Sequence, residues 1–127
     1  MKISTFVVLI IAAGILFLQS TPIPQNQEQT TGSYPATVKK VINNKCYGCH
    51  SVNGKSDKAK KALMWDSLPD LERGKLISSL NDIVEVLEKG EMPPEEVVKK
   101  YPQMKLLTEE SEILTFWAEA KADSLLN

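Results

Sequence analysis

Five consecutive residues, Cys46-Tyr47-Gly48-Cys49-His50, hold both cysteines and the only histidine of a 127-residue chain. Two thiols three positions apart lie on one helical turn, and an imidazole follows at once. Whatever these groups bind must be met by that single turn, and the remaining chain must fold around it. One histidine excludes any metal site built from two or three imidazoles, and two cysteines exclude a multi-disulfide scaffold. The length fits one small domain. Charged residues make up 24%, aromatics 6%, and the net charge is −1. Such an overall balance is neither acidic nor basic enough to suggest a nucleic-acid binder, and so few aromatics give no stacking platform for bases.

C-x-x-C-H is the attachment sequence for c-type haem. Each thiol can add to one of the two haem vinyl groups, and the next residue directs an imidazole under the iron. Gly48 leaves out a side chain where the macrocycle edge must pass. Random placement of two cysteines and one histidine gives this order in about one case in ten thousand. The motif therefore implies one covalent haem c held by Cys46, Cys49 and His50. Three rivals fit less well. A thioredoxin-like redox pair calls for a βαβ context, and no such pattern is present. A zinc site lacks further ligands. A disulfide across so short a loop adds little.

The rest of the chain reads as helical. Ser33 or Tyr34 is expected to cap a helix with Pro35 at its first position and Val38, Val41 and Ile42 on one face. Residues 51–57 form a loop, and a short helix is expected over 58–64, capped by Asp57. Asp70 is expected to cap a longer helix to Lys89, with Leu76, Leu80, Ile83, Val84 and Leu87 as its apolar stripe. Gly90 suits the position just after that helix. Residues 95–100 can form a turn or two. The last helix starts at Thr108, with Ile113, Trp117 and Ala120, joined by Leu114 and Phe116, as its apolar face. No segment alternates with period two. The fold class is all-α, with three main helices and one or two short ones.

Before this unit lies a different kind of sequence. Lys2 precedes an apolar run from Phe6 to Leu18, the layout of an export signal. Residues 1–20 are read as a cleaved signal peptide or, equally well, an uncleaved membrane anchor over 3–20. Either places the rest of the chain in the periplasm or otherwise outside the cytoplasm. Residues 21–34, rich in Pro and Gln, read as a flexible linker. The haem-binding domain is then 35–127.

A haem iron with His50 on one face needs a second ligand or an open site. Met64, Met92, Met104 and a lysine are the candidates. Met92 is the best placed, because it sits between the end of a helix and Pro93-Pro94, where a stiffened loop can hold a thioether. Met64 and Met104 read more simply as core filling. Trp65 and Arg73 are the donors that could reach a haem propionate.

The CYGCH motif, the Met92-Pro93-Pro94 turn and the closing LTEESEILTFWAE pattern resemble small exported bacterial c-type cytochromes. More narrowly, they are similar to a short haem-binding domain family with a C-x-x-C-H near the start and an E-x-M-P loop before a terminal Trp-bearing helix. The likeness covers about residues 36–124. It implies a small cytochrome c-like domain, covalent haem, His50 as proximal ligand and Met92 as distal ligand. Residues 51–62 depart from it, being short and Lys-rich where relatives carry a Pro- and aromatic-rich stretch.

His/Met ligation fills both axial places and suits one-electron transfer rather than substrate chemistry, so the chain reads as a carrier and not an enzyme. The alternative is a haem-based sensor with a labile distal site. Residues 36–61 carry seven Lys against one Asp, while 82–123 carry five Lys against eleven Asp and Glu. The basic half could steer the haem edge toward acidic redox partner proteins; the competing reading is ordinary solvated surface. Membrane contact would come only through the N-terminal segment.

Overall fold

A computed structural model describes residues 33–127. The expectations for residues 1–20, and for all but the last two residues of the linker, lie outside the described part. The helices are α1 (Ala36–Val41), α2 (Tyr47–His50), α3 (Asp57–Ala62), α4 (Arg73–Glu88), α5 (Glu95–Lys100) and α6 (Thr108–Leu126). A π-helical turn, Ile42–Cys46, joins α1 to α2, and 3₁₀ turns cover Leu68–Asp70 and Pro102–Met104. Among the described residues there is no strand, so the fold is all-α. None of the described helices is long and apolar enough to cross a membrane.

The scaffold is the pair α4 and α6, with α1 packed on α6. Leu76, Leu80 and Ile83 of α4 are buried with Leu114, Ala118 and Ala122 of α6 and with Val38, Val41 and Ile42. The stripe read on α4 is therefore the buried one, with Val84 and Leu87 packed at its margin. On α6 the expected face holds for Leu114, which is buried, and for Ile113 and Trp117, which pack against the core, and is corrected at two residues. Phe116 is 75% exposed, and Ala120 is also exposed. The buried row runs 114–118–122, one residue every four. Two alanines in that row let α6 lie close to α4, and close packing of helices selects small residues at the contact.

The starts of α1, α3 and α4 differ from expectation by one or two residues, while α5 and α6 start at Glu95 and Thr108 as expected. Pro35 occupies the capping position of α1, with no side-chain cap. Ser56, not Asp57, caps α3: its Oγ accepts the Ala59 N–H at 3.1 Å. That helix ends at Ala62, which leaves Met64 outside it. Glu72, not Asp70, caps α4 and accepts the Gly74 N–H at 3.3 Å, because Leu68–Asp70 is already committed to a 3₁₀ turn. Gly90 lies at φ +66° after α4, as its position implied. Tyr34 belongs to the folded unit. Its hydroxyl donates to the Trp65 carbonyl at 2.6 Å, and its ring packs edge-on against Trp65 and Trp117.

Candidate functional site

The five-residue motif sits where the first helix changes its winding. The Tyr47 N–H bonds the Ile42 carbonyl, an i to i−5 step, and single π turns of this kind recur at functional sites. Past the wide turn, Tyr47–His50 is ordinary helix. Cys46, Cys49 and His50 are each half-buried, and the two sulfurs are free thiols. Burial first, then the Glu110 carboxylate and Cys49, push the Cys46 thiol up to about 12.

Residues 63–66 grip this turn from the other side. His50 Nδ1 lies 2.9 Å from the Leu63 carbonyl oxygen. A carbonyl can only accept, so Nδ1 carries the proton and, in the neutral ring, Nε2 keeps its lone pair for a metal. The Trp65 N–H donates to the His50 carbonyl at 2.9 Å. The Asp66 carboxylate accepts the Val52 N–H at 2.7 Å and the Tyr47 hydroxyl. Those two bonds hold Asp66 below the usual carboxylate range, with Tyr47 the larger cause, and the same contact raises the Tyr47 phenol. Gly54 closes the loop behind the motif. Its N–H donates to Ser51 O at 2.8 Å, and a Cβ on it would stand 2.3 Å from Cys49 O. A Cβ on Gly48 would meet no protein atom within 4 Å.

Between α3 and α4 lies a cavity of about 330 Å³. Leu63, Met64, Leu68 and Leu71 form its apolar wall, and Lys60, Lys75, Ser67, Ser78 and Ser79 line its polar side. Trp65 is 3% exposed, and its Nε1 is buried with no hydrogen-bond partner. Arg73, the other donor considered for a propionate, is turned elsewhere and donates to the Leu125 carbonyl.

Met92 stands in the turn between α4 and α5, 36% exposed, with the Met92–Pro93 bond cis. Cys46, Cys49 and His50 are brought together by one turn. Met92 comes from a separate loop, and none of the hydrogen bonds just described reaches it. Sequence reasoning missed Leu63 and Asp66 as supports of the motif, and also Gly54. Leu63 acts through its carbonyl, which every residue type carries, so no residue-type signal could have found it.

The architecture thus defines a small all-α domain built round one haem-attachment turn. The cytochrome c family model matches residues 35–113, and the chain belongs to the cytochrome c family. Haem binding and electron transfer follow from that membership, and Cys46, Cys49 and His50 fit covalent attachment. No curated protein and no solved structure matches the chain.

Proposed function

We propose that this chain is an extracytoplasmic one-electron carrier holding a single haem, through thioethers at Cys46 and Cys49, with His50 and Met92 as the axial iron ligands. The observation that carries the reading is the His50–Leu63 hydrogen bond at 2.9 Å. It fixes the ring tautomer with Nε2 free and holds the ring orientation, as outer partners of metal-bound histidines do. The buried, unpartnered Trp65 Nε1 supports the fit. A buried N–H without an acceptor is costly, and an acidic edge of the cofactor would supply one.

Held by Cys46, Cys49, His50 and Met92, a haem would supply a one-electron iron couple, at a potential that a His/Met pair sets high. The chain's own part is to keep both axial places filled. Cys46 and Cys49 tether the ring, His50 offers Nε2 while Leu63 holds Nδ1, and Met92 offers a neutral thioether from the Pro93-Pro94 turn. With His50 and Met92 both holding the iron, no position would be left for a substrate, which favours a carrier over an enzyme. Residues 1–20 would export the chain, with 3–20 as inner-membrane anchor if they are retained. The Lys-rich stretch 36–61 would face acidic partner proteins.

The test is an intact-mass measurement of the exported protein together with a pyridine haemochrome spectrum. The expected result is one added haem, no free thiol, and a mass that reports the processed N-terminus. A colourless exported protein with both thiols free, or joined to each other, would overturn the proposal.

A further inference from the structure

Lys45 immediately precedes Cys46, and its side chain is only 14% exposed. An ammonium has three N–H donors, and Lys45 Nζ has three oxygens within reach. It donates to the Gln103 carbonyl at 2.7 Å and to the Lys105 carbonyl at 3.0 Å, and lies 3.5 Å from Glu110 Oε2. The same Glu110 oxygen accepts the Leu107 N–H at 2.9 Å, closing the start of α6. One cation therefore ties the haem-attachment turn to the segment that leads into the last helix.

That segment carries Met92. Between α4 and α6 the chain runs through the Pro93-Pro94 turn, α5 and a 3₁₀ turn. α5 buries none of its residues and packs chiefly on the 3₁₀ turn that follows it. The loop meets the core through Leu106, with Val97 and Val98 half-buried. At its entry the Glu91 N–H bonds the Val86 carbonyl at 2.9 Å. At its exit, Lys45 and Glu110 hold it.

We infer that Lys45 is a positioning residue that straps the Met92 loop to the haem-attachment turn, and so sets how often Met92 leaves the iron. The inference rests on the assignment of Met92 as distal ligand. Loss of the strap raises the fraction of molecules with an open distal site, and an external ligand then binds more tightly in proportion to that fraction.

The experiment uses the full-length holoprotein and imidazole as the probe, with the long-wavelength absorption of thioether–iron(III) coordination as the second readout. In Lys45→Met, imidazole affinity is expected to rise about tenfold, the scale of losing charged hydrogen bonds. Lys45→Arg, which keeps charge and donors, should return most of the way to wild type. Glu110→Gln keeps the Leu107 acceptor and both carbonyl bonds, so a rise of about threefold is expected. It serves as the second probe should Lys45→Met lose its helical circular dichroism. A general loss of stability would lower the melting temperature and leave imidazole affinity where it was, and that result overturns the strap. Met92→Ala separates the two layers. If it loses the thioether absorption and binds imidazole tightly while Lys45→Met and Glu110→Gln match wild type, the strap fails and the ligand assignment stands. If Met92→Ala keeps the absorption, the assignment fails and takes the strap with it.

Discussion

Gly54 should be the least replaceable glycine of the haem-attachment region, for a reason of space. A Cβ there would lie 2.3 Å from Cys49 O, 2.7 Å from Cys49 C and 2.9 Å from Ser51 O. All three are backbone atoms and none can swing aside, so Gly54→Ala must displace the segment 49–51, which includes Cys49 and His50. Gly54 is not at positive φ, so the cost is steric. Forcing an extra methyl into a filled space costs about 1–3 kcal/mol. Alanine also removes unfolded-state freedom and returns about 0.4–1 kcal/mol. The net is a loss of about 1–2 kcal/mol, or roughly 5–15 °C in melting temperature for a domain of this size. Gly74→Ala is the matched control. Its Cβ would meet Glu72 Oε1 at 3.6 Å, an ordinary contact at the far end of a side chain, and the first turn of α4 should gain slightly from alanine. The assay is thermal melting of both holoproteins by circular dichroism. The visible absorption of the haem is followed in parallel, because a displaced His50 should alter it. If Gly54→Ala melts with Gly74→Ala and keeps an unaltered spectrum, the steric argument is wrong.

Met92→Ala should lose the thioether absorption and let the reduced protein bind carbon monoxide rapidly, while Met64→Ala and Met104→Ala keep the wild-type spectrum; stopped-flow mixing with carbon monoxide decides among them. In the haem-free chain Cys46 is pushed from its ordinary 9.0 up to about 12. The unfolded chain then loses its proton first as pH rises, so this contribution to stability is complete below pH 9 and falls away between 9 and about 12. Denaturant titrations across that range should show the decline, and Cys46→Ser should remove it. Asp66 is held below the usual carboxylate range by Tyr47 and Val52. Its contribution is therefore present above the ordinary carboxylate pKa and lost as pH falls through its own lowered value, and Asp66→Asn should flatten the acid limb of the holoprotein's melting curve.

The legible part of this protein was whatever rests on periodicity or on rare residue types. The stripe 76–80–83 on α4 was readable because its other faces are polar, and Gly90 because a C′ position favours a residue free to take positive φ. The attachment motif was readable because the chain spends all its Cys and His there. Helix α6 was harder. Ile113, Leu114, Phe116, Trp117, Ala118, Ala120 and Ala122 offer more than one apolar stripe, and the choice among them depends on how near α4 comes. In the fold Ala118 and Ala122 are buried in the core and Phe116 is exposed, which no pattern of hydrophobicity alone can reveal. The caps at Ser56 and Glu72 were missed because competing polar residues stand one or two places away, and only the backbone path decides between them.

The supports of the site were illegible for another reason: they are bonds from a side chain to a distant main-chain group. His50 is held by the carbonyl of Leu63, and Lys45 by the carbonyls of Gln103 and Lys105. This choice of partner has a consequence for function. The stiff part of the fold is the contact of α4 with α6, with Leu80 and Ala118 fully buried. The turn that carries His50 and the loop that carries Met92 are both short elements outside that contact, and α2 and α5 bury none of their residues. Elements with so little buried area open locally at low cost unless something pins them. His50 is pinned at its own ring, through Nδ1. Met92 has no such bond at its own side chain; its loop is held at the entry by the Glu91 N–H on the Val86 carbonyl and at the exit where residues 103–105 meet Lys45. With His50 and Met92 as the axial pair, the proximal ligand is therefore the fixed one and the distal ligand the one that yields first. On that proposed axial pair, the exchangeable side of the iron would be set largely by Lys45, next to Cys46, rather than by the residues around Met92 alone.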